Sequence, residues 1–181
     1  TGATSVTGGL VKTNHVNALG SNSAVSLSNT AGVQLQLLSN LTIGSLASGG
    51  STGGSTALGT YNLTTGGDNT STSYAGTVSG TGQLIKAGTG VWTVSAANSY
   101  TGGTTINAGT LKLGNAGALG TSAGAVSVSS GGSLDLNGLA FTNTNALTLN
   151  GAGAGSVGAL TNSSATATSY AGAITLASDA S

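Results

Sequence analysis

Apolar and polar residues alternate along this chain in short bursts. Thr110-Leu111-Lys112-Leu113, Ala125-Val126-Ser127-Val128-Ser129, Ser133-Leu134-Asp135-Leu136 and Ala146-Leu147-Thr148-Leu149 each set two apolar side chains on one side of an extended segment. Val25-Ser26-Leu27, Val33-Gln34-Leu35 and Leu41-Thr42-Ile43 repeat the pattern earlier in the chain. Clusters of Gly, Asn and Ser, such as Gly131-Gly132, Asn137-Gly138 and Asn150-Gly151, break the bursts about every 8 to 12 residues. Strong helix formers are scarce, whereas Thr, Val and Gly abound. The pattern predicts many short strands joined by tight turns, and almost no helix.

The bursts recur on a longer scale. Residues 1–20 align with residues 101–120: Thr1, Gly2, Thr4, Gly9, Lys12, Ala18, Leu19 and Gly20 all reappear in the later window. Ala24-Val25-Ser26-Leu27 answers Ala125-Val126-Ser127-Val128, and Thr72-Ser73-Tyr74-Ala75-Gly76 returns unchanged as Thr168-Ser169-Tyr170-Ala171-Gly172. The spacing between matches drifts, which implies small insertions and deletions in loops. The expected organisation is a single solenoid over 1–181, made of about two divergent copies (approximately 1–80 and 81–181) and part of a longer array. The end of the chain followed by its beginning would roughly restore Ser95 to Gly102, which suggests units that continue one into the next.

Composition narrows the fold. Only 3% of residues are charged, there are 33 glycines, and proline, cysteine and methionine are absent. Typical soluble domains carry about 25% charged residues. At 38% hydrophobic and with so little charge, the chain does not match the signature of disorder. One Trp, one Phe and four Tyr would fill a β-sandwich poorly, whereas stacked ladders of Leu, Val, Ile and Ala suit a narrow coil. The expected fold is therefore all-β, a right-handed parallel β-helix of about nine turns of ~20 residues, roughly 40 Å long. Without cysteine, stability must come from backbone pairing and packing.

The stretch Gly80-Thr81-Gly82-Gln83-Leu84-Ile85-Lys86-Ala87-Gly88-Thr89-Gly90-Val91-Trp92-Thr93-Val94 leads into Asn98-Ser99-Tyr100-Thr101-Gly102-Gly103-Thr104-Thr105-Ile106 and then Ala108-Gly109-Thr110-Leu111-Lys112-Leu113. This resembles the autotransporter-associated β-strand repeat, also called the passenger-associated transport repeat. Its spaced positions fall here on Lys86, Gly88, Gly90, Trp92, Asn98, Tyr100, Gly102, Thr104, Ile106, Gly109 and Leu111. Residues 1–20 resemble the tail of the same motif. The resemblance implies a secreted, surface-displayed bacterial passenger or giant adhesin folded as a right-handed β-helix, with these residues in structural roles. It implies no catalytic role.

The inventory for chemistry is small. Asp68, Asp135 and Asp179 are far apart in sequence, and β-helical polysaccharide hydrolases need clustered carboxylates. Asp135 alternates with Leu134 and Leu136 and is expected to point outward to solvent. His15 lies in a turn without ligating neighbours and is expected at the surface rather than in a metal site. Gly66-Gly67-Asp68 resembles one fragment of a calcium-binding nonapeptide repeat, too little to make a site. Trp92, Tyr100, Tyr74 and Tyr170 could form a sugar-binding ledge, but packing between turns is the favoured reading. An ice-binding face is not expected, because Thr and Ser are scattered over turns and strands alike. Lys12, Lys86 and Lys112 are expected on outer faces, where charge discourages lateral aggregation. With no glutamate to shuttle protons, an isopeptide cross-link through Lys86 or Lys112 is not expected.

Three lysines and no arginine exclude nucleic-acid binding, and no apolar run reaches the ~18 residues of a membrane helix. The expected function is a structural and adhesive segment of a secreted bacterial surface protein, located extracellularly or at the cell surface. It would form a stalk, fibre or matrix filament by end-to-end stacking on copies of itself. No enzyme activity, cofactor, metal or membrane insertion is expected. The alternative is a module binding host or biofilm glycans or proteins through outer loops, with Ser48 to Thr60 and Asn162 to Ser169 as the longest.

Overall fold

The structure, a computed structural model, describes residues 2–48 and 52–180. Among the described residues every strand pairing is parallel, and the only helical element is a single 3-10 turn at Ala154–Ser156. The chain is a β-solenoid with three sides. One side is a seven-stranded sheet built in order from Leu41–Thr42, Leu63–Thr65, Leu84–Lys86, Thr104–Ile106, Val126–Val128, Leu147–Leu149 and Ile174–Leu176.

The second side begins as Thr4–Val6, Ala24–Leu27 and Ser45–Ser48. It resumes as a five-stranded sheet from Thr72–Tyr74 to Leu160–Thr161. The third side runs through Leu10–Thr13, Gln34–Leu37, Ser55–Ala57 and Val78–Ser79, continues through the extended stretch around Tyr100, and closes with the pair Ala140–Phe141 and Ser169–Tyr170.

The alternating pattern sets the register. Inward positions stack as Leu41, Leu63, Leu84, Thr104, Val126 and Leu147, and two residues further on as Lys86, Ile106, Val128 and Leu149. Successive Leu, Ile and Val side chains fill the coil, and each fully buried one contributes about 1.5–3 kcal/mol. The outward positions between them form a row of Thr42, Thr64, Ile85, Thr105, Ser127, Thr148 and Thr175. The hydroxyl residues are thus ordered on this side rather than scattered, in a single row broken by Ile85.

The widest sheet makes about seven turns, fewer than the nine expected. Hydrogen bonds between neighbouring turns span 20 to 22 residues in the middle of the chain. They span 27 to 29 in the last turn, where inserted residues loop out. The long sequence repeat is also not a whole number of turns. Thr4–Val6 lies in the three-stranded sheet, but its counterpart Thr104–Ile106 lies in the seven-stranded one. Tyr74 pairs with Val94, whereas its duplicate Tyr170 pairs with Phe141 on another side. The local motif therefore recurs on different sides of the coil. The unit that stacks is the turn.

Candidate functional site

The motif residues gather around one turn and tie it to the turns on either side. Leu84, with Ile85 pointing outward, puts Lys86 inward by the alternation of the strand, between Thr65 and Ile106 in register. Lys86 is 1% exposed, which overturns the expectation that it sits on an outer face. The signal was present in the sequence: two residues from Leu84 means the same side as Leu84. Its ammonium turns to the corner of the coil and donates to the carbonyls of Ala87 (2.6 Å), Gly88 (2.7 Å) and Ala108 (3.2 Å). Three donors meet three acceptors, so the buried charge is fully hydrogen-bonded. Burial pushes its pKa down to about 8, with the Asp68 carboxylate pulling the other way.

Close stacking of the corners explains the motif glycines. Gly88 has φ +63°, and a Cβ there would collide with the carbonyl of Gly66 in the turn below. Gly90, Gly102 and Gly109 are likewise closed to a side chain by the backbone of a neighbouring turn.

Trp92 is buried between Thr72 and Leu111. It stacks against Tyr74 with ring centroids 6.3 Å apart, and its indole N–H donates to the carbonyl of Leu46 at 3.1 Å. Tyr100 is buried with its hydroxyl 2.6 Å from that of Thr104. Burial raises its phenol to about 12, and raises that of Tyr74 further. The Asn98 amide accepts from the Val78 N–H at 2.8 Å and donates to the Ala118 carbonyl at 2.8 Å, so one side chain bridges the turns below and above. Trp92, Tyr74 and Tyr100 thus face the interior and offer no ledge. Tyr170, half-buried, stacks on Phe141 at 6.0 Å.

On the outside of the same side of the coil, Thr93, Lys112, Asp135 and Thr161 follow one another in register. Asp135 does lie on the outward row, as the alternation predicts, but it is 4% exposed rather than open to solvent. The long last turn covers it. Its Oδ1 accepts backbone N–H groups of Asn137 and Ser163, both at 2.9 Å, and its Oδ2 accepts the Ser163 hydroxyl at 2.6 Å. Burial alone would raise this carboxyl; the Ser163 and Asn137 hydrogen bonds and the Lys112 charge outweigh it and bring it below its ordinary value. Lys112 Nζ donates to Ser163 Oγ at 2.9 Å and stands 3.8 Å from Asp135 Oδ2. Sequence reasoning missed this pairing because a loop brings Ser163 there, and loops carry no periodicity.

The remaining candidates stay apart. His15 is exposed in a bend, its Nδ1 accepting from the Asn17 N–H. Asp68 caps its own turn through Thr70, and Asp179 is exposed. Among the described residues no group of His, Cys, Asp or Glu could hold a metal ion. Of the two segments expected as long loops, 162–169 is irregular until Ser169 opens the strand Ser169–Tyr170, but 48–60 contains the strand Ser55–Ala57, and residues 49–51 lie outside the described residues.

Residues 84–113 match the family model described as passenger-associated-transport-repeat, from the strand of Leu84 to the strand of Leu113. The chain carries a passenger-associated transport repeat. In the solenoid this repeat is one complete turn and the first two sides of the next. The chain is also similar to the adhesin BmaC autotransporter of Brucella suis biovar 1 (strain 1330), 39% identical over 114 residues. That match covers 59% of this chain and 3% of the length of that relative. No solved structure matches the chain.

Proposed function

We propose that this solenoid is a structural and adhesive segment of a secreted bacterial surface protein, exposed outside the cell, with no catalytic role. The observation that carries this reading is the stacking of parallel turns, continuous over seven strands on one side, through a passenger-associated transport repeat. Backbone hydrogen bonds tie each strand to its neighbour in the next turn, and the interior is bolted by Lys86, Trp92, Asn98 and Tyr100. Such a coil resists bending and local opening, which suits a stalk. The similarity to a protein named as an adhesin supports display at the surface.

The finer reading is that copies stack end to end into a fibre. The strand Ile174–Leu176 leaves Ile174 44% and Leu176 66% exposed at ladder positions that are buried in the turns below. A following turn or a second copy would cover them. Negative-stain microscopy with sedimentation velocity at rising concentration tests this. Rods that lengthen in steps are expected; short rods of one size at every concentration would exclude the fibre.

A further inference from the structure

The last turn is longer than the others, and its extra residues overhang the outer row that holds Lys112 and Asp135. The result is a groove of about 490 Å³ on the outside of the coil. Its size is that of a small-ligand site. Val91 and Val157 form its apolar walls, and Lys112, Asp135, Asn162 and Ser163 supply its polar groups. Val157 is 72% exposed, the most open of the large apolar side chains among the described residues.

The polar groups are held in place but not exhausted. Asp135 is nearly buried and fixed by Ser163 and Asn137 through three of the roughly four lone-pair positions of a carboxylate. Lys112 has three donors and gives one to Ser163. The 3.8 Å between ammonium and carboxylate is too long for a direct hydrogen bond. The groove therefore presents an acceptor and donors side by side, with no net charge, beside two apolar walls. A hydroxyl is the group that accepts from Lys112 while donating to Asp135. A carboxylate ligand would meet Asp135, and an amine ligand would meet Lys112.

From this geometry we infer that the groove between Lys112, Asp135 and Val157 binds a neutral hexose unit of a glycan, its hydroxyls on the charged pair and its C–H face on the valines. The site is separate from fibre growth: a rod that stays short would still hold the sugar, and a fibre could form without it.

The test is titration of the ¹⁵N-labelled chain with methyl glycosides of glucose, galactose and mannose, and with N-acetylneuraminic acid and glucosamine as charged probes. At least one neutral glycoside should give saturable amide shifts centred on residues 110–112, 157 and 161–163. Val157→Asp, at an exposed position, should leave the thermal midpoint in place and weaken binding at least about tenfold. Lys112→Met should weaken it comparably while Ser163 still caps Asp135. The inference is overturned by the absence of saturable shifts with every neutral glycoside or by shifts on another side of the coil. It is equally overturned by a preference for a charged sugar, or by a Val157→Asp chain that binds as well as its parent.

Discussion

The indole N–H of Trp92 reaches past the turn of Thr72 to the carbonyl of Leu46, two turns below. The three-stranded sheet stops at Ser45–Ser48 and the five-stranded sheet starts at Thr72–Tyr74, so this carbonyl sits at a seam in the side. It receives Trp92 Nε1 and Thr72 Oγ1, each at 3.1 Å. The aromatic residue of the motif closes the gap where ladder pairing lapses. Trp92→Phe keeps the ring but removes the donor, and should cost about 1–2 kcal/mol in urea unfolding. Trp92→Ala should cost about 3–5 kcal/mol, because it also opens a cavity against the ring of Tyr74. Equal losses for the two variants would count against the seam.

Lys86 makes stability depend on alkaline pH. Its folded pKa of about 8 lies below the ordinary 10.5, so between these values the unfolded chain binds more protons than the folded one. Stability should therefore rise from pH 8 toward 10, by on the order of 2 kcal/mol. Tyr100 and Tyr170, raised to about 12 from 10, act in the opposite sense. Their contribution is complete below pH 10 and is lost as pH climbs toward 12, so the thermal midpoint should peak near pH 10. In Lys86→Met the rise below pH 10 should vanish, and the midpoint at neutral pH should drop because three corner carbonyls lose their donor. A Lys86→Met chain that keeps the alkaline rise would refute the assignment.

Asp135 anchors the loop of the long turn. Asp135→Ala leaves the Ser163 and Asn137 N–H groups without their acceptor and should cost about 1–3 kcal/mol. The loss should be local, so hydrogen exchange should accelerate over residues 161–166 and remain slow in the strand Thr104–Ile106. The carboxyl is depressed in the folded state, so its contribution is present above its ordinary value of 3.8 and disappears as pH falls through the lower folded value.

Gly88 and Gly8 give a matched pair. Gly88→Ala places a Cβ against the Gly66 carbonyl in a left-handed backbone and should destabilise by more than about 1 kcal/mol. Gly8 has open space around it, and Gly8→Ala should change the thermal midpoint little. Similar effects at both sites would mean that the turn spacing is looser than the corner requires.

Asn98 bridges with both ends of its amide, so Asn98→Asp keeps the acceptor for Val78 but faces the Ala118 carbonyl with an oxygen. The variant should be less stable at pH 7 than at pH 4, where a protonated carboxyl can donate again. A pH-independent loss would argue that the bridge to Ala118 contributes nothing.

The alternation of apolar and polar residues determined the strands, because side-chain direction in a strand has a period of two; the internal repeat and the scarcity of large aromatic residues pointed to the solenoid, and the Lys86-to-Leu111 spacing to the repeat motif. The same rule, applied to Lys86, puts it with Leu84 inside the coil, against the outer face that its charge led us to expect. What local pattern could not determine was the length of each turn, and with it which residues meet across turns. The tertiary structure decided that Trp92 answers Leu46, that the repeated segments fall on different sides, and that Ser163 covers Asp135. Each of these rests on how many residues the chain spends in its corners, and loop length leaves no periodic trace in the sequence.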